Sequence, residues 1–222
     1  WSLAYAYSIN RDNQLFLNYL ILFFFGSVLM RSAGCIFNDI VDKDFDKKVE
    51  RTKNRPLAAG KISVLEAFIY VFFLCMTSLI ILLQFNLLTI ILGMGSMVLA
   101  FAYPFMKRIT YWPQLFLGLT FNWGIIMGWT SITGGLSVEP FILYVAAIFW
   151  TLGYDTIYGL QDIRDDEIIG IKSTSIKFKS NVNLFVTICY GLFVLLILYL
   201  CFMIEINKTL IILSIFFILT LI

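Results

Sequence analysis

The sequence predicts an all-α polytopic membrane protein, a helical bundle with about seven visible transmembrane spans. Three observations carry that expectation. Apolar residues make up 60% of the 222, and the mean hydropathy is +0.90. Runs such as 15–37, 64–83 and 182–203 are each long enough to cross a hydrocarbon core of about 30 Å as a helix. Lys and Arg gather on alternate connections between the runs. A transmembrane β-barrel would need segments of roughly ten residues alternating in polarity, whereas these runs are twice that length and nearly unbroken.

Taken in order, the first feature is the short apolar run 3–7, which reads as the tail of a preceding span. Span 15–37 follows, with Arg31 near its end and small Ser32, Ala33 and Gly34 beside it that permit close helix packing. Pro56 and Gly60 bracket the approach to span 64–83, as in a shaped loop. Spans 87–106 and 112–131 carry Phe101, Tyr103, Phe105, Trp112, Phe121, Trp123 and Trp129, which read as packing groups or interface anchors. Asn122, inside the second of these spans, needs a hydrogen-bond partner. Span 138–158 ends in Tyr154 and Tyr158, and spans 182–203 and 208–222 close the visible chain. The chain begins at Trp1 without an initiator methionine and stops at Ile222 inside an apolar run. A single domain over 1–222, truncated at both ends, is therefore expected, with seven as a lower bound on the spans.

With these spans, the connections 38–63, 107–111 and 159–181 share one side and hold thirteen of the sixteen Lys and Arg residues, while 84–86, 132–137 and 204–207 hold none. The positive-inside rule turns the first set toward the cytoplasm or the equivalent interior compartment of an organelle. Without histidine the chain lacks the usual proton shuttle near neutral pH and the commonest transition-metal ligand. Cys35, Cys75, Cys189 and Cys201 lie in or at the ends of spans without CxxC spacing, and are expected as small buried apolar groups. A net charge of +2, with acids interspersed among the bases, argues against nucleic-acid binding, and no obligate protein partner is implied. Membrane lipid is the expected surrounding, with Lys43, Lys47, Lys48, Lys177 and Lys179 suited to topology and headgroup contact.

Chemistry concentrates in two aspartate-dense stretches on the interior side, NDIVDKDFD at 38–46 and DTIYGLQDIRDDE at 155–167. Asn38, Asp42 and Asp46 recur every four residues and share one face if the helix continues past Phe37, and Asp39 neighbours Asp42 at a spacing of three. Asp162 and Asp166 repeat the four-residue spacing, and Asp155 lies seven residues earlier on the same face of a continuous helix, with Asp165 pointing elsewhere. Like charges this close oppose a helix unless a cation compensates them. Hard oxygen ligands suit Mg²⁺, which binds through few carboxylates and shares itself with substrate phosphates. Solvated loop carboxylates balanced by Lys43, Lys47, Lys48 and Arg164 are the plainer alternative, but one spacing repeated in two clusters on one side favours the metal. A helix-hand calcium loop would need a glycine and a final glutamate that are missing.

The basic residues indicate what the cation would hold. Arg51, Lys53 and Arg55 follow the first cluster in ERTKNRPLAAGK, Lys107 and Arg108 sit on the next interior connection, and Lys172 follows the second cluster. Carboxylate-bound Mg²⁺ ringed by Arg and Lys is the electrostatic requirement of a diphosphate leaving group as its bond to carbon breaks. Arg31, seven residues before Asn38, is expected on the ion-bearing face two turns deeper, toward diphosphate or an anionic acceptor. Tyr154 and Tyr158 flank Asp155 as an aromatic wall able to stabilise an allylic cation.

These motifs resemble those of the UbiA superfamily of intramembrane aromatic prenyltransferases. The family's NDxxDxxxD is matched by Asn38, Asp39, Asp42 and Asp46, preceded by MRSAGC at 30–35 and followed by an RTxNRPL pattern at 51–57. Its DxxxD is matched by Asp162 and Asp166, framed by YDTIYGLQD at 154–162 and GIKSTSIKF at 170–178. The flanks are most similar to the 4-hydroxybenzoate polyprenyltransferase branch. Asp44 adds a carboxylate inside the first motif, and Glu167 stands where aspartate is common after the second.

The resemblance covers essentially the whole chain and implies an open bundle of nine helices, with the first helix and the terminal region missing here. It implies Mg²⁺-dependent transfer of a polyprenyl group from polyprenyl diphosphate to the ring carbon ortho to the hydroxyl of 4-hydroxybenzoate. Diphosphate would be released, in ubiquinone biosynthesis, at a bacterial inner membrane or alternatively a mitochondrial inner membrane. By that resemblance Asn38, Asp39, Asp42, Asp46, Asp162 and Asp166 would serve the metal, Arg51, Lys53, Arg55, Lys107, Arg108 and Lys172 the diphosphate, and Asp155, Tyr158 and Arg31 the catalysis. A sister enzyme would keep Mg²⁺ and diphosphate but take another aromatic or a tetrapyrrole as acceptor. A cation transporter would need acidic groups near the midplane, whereas both clusters lie at one end. A structural or partner-binding membrane protein would not require paired acidic ladders.

Overall fold

The computed structural model describes residues 1–9 and 12–203, and among these it is helical without strands. The helices are α1 (Ser2–Ile9), α2 (Asn13–Asp46), α3 (Val64–Leu82), α4 (Leu87–Ile109), α5 (Pro113–Phe121), α6 (Gly124–Thr133), α7 (Val138–Tyr158), α8 (Ile163–Ile169), α9 (Thr174–Lys177) and α10 (Val182–Met203). Six stretches of the described residues are long and apolar enough to cross a membrane, α5 and α6 together making one of them. The expected span 208–222 lies outside the described residues.

α2 has 34 residues, roughly 50 Å at about 1.5 Å per residue, against a hydrocarbon core of about 30 Å. Its last turns, which carry the first acidic cluster, therefore extend beyond the apolar layer. Asp12 caps its start by accepting the N–H of Leu15 at 3.0 Å. α3 opens with a capping box in which Ser63 and Glu66 satisfy each other's backbone N–H groups. Asn86 caps α4 and also donates to the carbonyls of Thr130 at 2.7 Å and Ser131 at 3.1 Å, fastening the start of α4 to α6.

Burial separates centre from rim. In the most apolar windows of α5–α6 and of α7, 39% of residues are buried within the protein, against 6% for α2 and 11% for α10. Exposed Phe24, Phe72, Phe73 and Phe202 on the outer helices are lipid-facing side chains, since contiguous apolar surface on this scale is stable only against hydrocarbon. α7 packs against α10 and α5, α2 against α3, and α1 against α6. The α7–α10 contact depends on Gly153, where a Cβ would fall 2.6 Å from the Tyr190 ring. Trp150 packs beside it on Tyr190 and Phe193, both at 5.1 Å between ring centroids.

The run 3–7 lies in α1, with Ala6 buried and Tyr5 packed 5.2 Å from Trp129. The structure corrects other expectations. Span 112–131 is two helices rather than one, interrupted at Asn122 and Trp123. Asn122 finds its partners there, donating to the carbonyls of Gly118 at 2.9 Å and Ala147 at 3.1 Å and to Thr151 Oγ1 at 2.8 Å. Of the four cysteines only Cys189 is buried, and Cys35 is exposed.

Candidate active site

Six segments of the chain converge on one cavity of about 260 Å³. The end of α2 supplies Asn38, Asp42 and Asp46, whose four-residue spacing does place them along one helical face. The loop after it returns Arg51, Thr52 and Arg55 to the same space. α4 contributes Tyr103, Pro104 and Lys107, and α5 contributes Gln114 from its first turn. α7 brings Asp155, and the stretch from Asp162 to Ser173 brings Asp162, Asp166 and Lys172.

The second cluster reaches the cavity by a different route from the one its spacing suggests. α7 ends at Tyr158, residues 159–162 form a turn, and Asp162 stands at the N-terminus of the separate helix α8. Asp155 and Asp162 therefore do not share the face of one helix; the turn brings them to one cavity instead.

Charge pairing ties the segments together. Arg51 Nε donates to Asp162 Oδ1 at 3.0 Å, joining the two clusters across 111 residues of sequence. Arg55 reaches Asp39 at 2.9 Å and Asp46 at 3.0 Å, and Lys107 donates to Asp42. Thr52 Oγ1 donates to the carbonyl of Asp46 at 3.1 Å, which folds the returning loop against α2. The hydrogen bond to Asp162 is the main cause that raises the Arg51 pKa above its ordinary value, so this guanidinium stays charged. Burial, aided by the neighbouring charge of Asp162, pushes the Asp166 carboxyl up to about 6.

The donors fit a hard divalent cation. Asp42 is 1% exposed, and its Oδ1 is buried without a hydrogen-bond partner, with Arg108 3.7 Å away. A buried carboxylate oxygen left in this state calls for a cation or a donor. Among the described residues, no three acidic side chains converge as a ready cage. Asp39, Asp42, Asp46 and Asp162 have instead drawn Arg or Lys side chains, so the expected ladders are two acidic walls of one cavity, with the basic side chains between them.

A family model described as the UbiA prenyltransferase family matches residues 1–222. The chain belongs to the UbiA prenyltransferase family. It is 50% identical over 184 residues to the mitochondrial 4-hydroxybenzoate polyprenyltransferase of Caenorhabditis elegans, covering 82% of this chain and 51% of that one. To the human protein of the same name it is 52% identical over 167 residues, covering 74% and 44% respectively. The chain thus spans about half the length of these curated relatives. The apo structure of a UbiA homolog from Aeropyrum pernix K1 superposes with a TM-score of 0.77 at 25% identity, over 93% of this chain and 79% of that one. A UbiA homolog from Archaeoglobus fulgidus, solved with GPP and Mg²⁺, gives 0.76 at 21% identity, over 92% and 74%, and shares the fold.

In this UbiA family member most of the residues singled out from the sequence reach the cavity, but not all. Asp39 turns to Arg55 and is not in the cavity wall. Lys53 pairs with Glu50 on the exposed loop, three residues along, and lies away from the site. Arg108 donates to the carbonyl of Val41 and lies over the rings of Phe45 and Phe105, bracing α4 against α2 from outside the cavity. Arg31 is held over Phe121, its charge 5.4 Å from the ring centroid, and is not in the cavity wall, although its seven-residue spacing from Asn38 keeps it on the same face of α2. Tyr158 is 52% exposed and stands under Arg51 at 5.9 Å, so it forms no wall over Asp155. The aromatic groups lining the cavity are Phe45 and Tyr103, the second of which the sequence offered only as one of many packing aromatics. Gln114 gave no local signal at all, since its site role comes from contacts with residues 60 positions away.

Proposed function

We propose that this chain is the membrane-embedded catalytic core of a Mg²⁺-dependent polyprenyltransferase that joins a polyprenyl group to the carbon ortho to the hydroxyl of 4-hydroxybenzoate, releasing diphosphate. The carrying observation is the cavity in which both aspartate clusters meet Arg51, Arg55, Lys107 and Lys172 beside the membrane. The names of relatives at about half identity support the acceptor and the long prenyl donor. Their designation as mitochondrial supports a mitochondrial membrane over the bacterial one.

Asn38, Asp42, Asp46, Asp162 and Asp166 would hold the metal, which when bound neutralises diphosphate oxygens and lowers the barrier to their departure. Arg51, Arg55, Lys107 and Lys172 donate to the remaining oxygens, the first three turning from their present carboxylate partners to the anion and Lys172 from the Ile109 carbonyl. The C–O bond breaks to leave an allylic cation, and Tyr103 in the cavity wall offers it a π-face. The phenol ring attacks, and Asp155 orients the phenol or takes up the ring proton that must leave to restore aromaticity. Apolar helix surfaces around the cavity let the prenyl tail stay in lipid while its charged head reaches the interface.

The test uses the full-length protein in nanodiscs with radiolabelled polyprenyl diphosphate and 4-hydroxybenzoate, with and without Mg²⁺, beside Asp162→Ala. Mg²⁺-dependent prenyl-hydroxybenzoate that is lost in the variant is the expected result. Turnover only with another aromatic would reject the acceptor, and no prenyl transfer to any aromatic by folded protein would reject the enzyme.

A further inference from the structure

The segment 171–175, which leads from α8 into the first turn of α9, is fastened to several elements at once. The Ile171 N–H donates to the Asp166 carbonyl at 2.9 Å, and the Lys172 N–H to the Lys107 carbonyl at 2.8 Å. Lys172 Nζ reaches the Ile109 carbonyl at 3.1 Å. The Thr174 hydroxyl pairs with that of Thr156 at 2.6 Å, and Ser175 Oγ donates to the Thr156 carbonyl at 2.7 Å. A Cβ at Gly159 would sit 2.5 Å from Ser175 Oγ, so the segment lies flush against the end of α7.

The remaining tie comes from Gln114, whose Oε1 accepts the Thr174 N–H at 3.0 Å in a buried setting. Thr174 is the first residue of α9, where a backbone N–H has no partner within its own helix. Only the oxygen of a carboxamide can accept it, so the Gln114 side chain is locked in one orientation. Main packing of α8 is onto α9. The carboxylates of the second cluster therefore inherit their place from this segment, as does Lys172.

We propose that Gln114 is a positioning residue: through the Thr174–Thr156 junction it holds α8 and Lys172 against the first cluster, setting the affinity of the site for a prenyl diphosphate with its metal. This rests on the diphosphate reading of the cavity. Residues that orient metal-binding groups in this way carry about 10- to 100-fold in affinity.

The test measures binding of Mg²⁺ with an unreactive thiolo analogue of a prenyl diphosphate by calorimetry, on the full-length protein and on Gln114→Leu, Thr156→Val and Thr156→Ser. KM and kcat for the natural donor and the unfolding temperature are read alongside. Gln114→Leu and Thr156→Val should each weaken binding about tenfold and raise the donor KM more than they lower kcat, with Thr156→Ser close to the parent. A purely structural role would lower the unfolding temperature and leave the affinity of the folded fraction unchanged, which overturns the proposal. So would loss in Gln114→Leu with none in Thr156→Val, because Gln114 would then act on the ligand directly. Should Gln114→Leu not fold, the Thr156 pair decides alone: loss with Val restored by Ser supports the proposal, and no loss with Val overturns it. Failure of the parent itself to bind the analogue would overturn the diphosphate reading and this inference with it.

Discussion

Asp42 shows how a single residue links stability to function. Its side chain is 2% exposed and faces Lys107, itself 23% exposed, with Arg108 at the margin. Removing one partner of such a pair strands a charge in a poorly solvated place, which costs about 3 kcal/mol. Lys107→Met should lower the unfolding temperature accordingly, and the double variant Asp42→Asn, Lys107→Met should recover much of it, as thermal unfolding in detergent would read. Recovery absent in the double variant would mean that Lys107 matters through packing. The acidic partners were legible from sequence because a four-residue repeat is a property of one helix, here α2. The pairing of Asp42 with Lys107 was not, since 65 residues separate them.

Among the elements, the interrupted helix α5–α6 and the tight α7–α10 contact control the scaffold around the site. Asn122 satisfies acceptors on α5 and α7 where the helix breaks, and Asn122→Leu would leave the Thr151 hydroxyl and the Ala147 carbonyl with fewer donors in an apolar surround. A loss of about 1–2 kcal/mol is expected. Gly153→Ala would drive a methyl into the Tyr190 ring and push α10 from α7, costing about 1–3 kcal/mol. Both are read by thermal unfolding, and a neutral Gly153→Ala would show that Tyr190 swings aside freely. From the sequence, the apolar length of 112–131 read as one continuous span. Hydropathy cannot register the break, because the residues on both sides remain apolar and only Asn122 marks it.

Across the whole molecule, charge asymmetry predicts the orientation. In a background without its native cysteines, Lys53→Cys should react with a membrane-impermeant maleimide only from the interior side, and Leu136→Cys, 52% exposed at the other end, only from the opposite side. Labelling of both from one side would reverse the topology. By itself the sequence determined the membrane-spanning helical class, that the acidic clusters stand at span ends, and the identity of the acids within each cluster. All of these depend on composition, span length and spacing within one segment. Only the tertiary structure decided that the two clusters share a cavity, that Asp162 reaches it past a turn, and that Arg31, Lys53, Arg108 and Tyr158 do not line it. Those outcomes depend on where helices distant in the chain come to rest, which is settled by contacts such as Gln114 to Thr174 and Arg51 to Asp162 that no local pattern encodes.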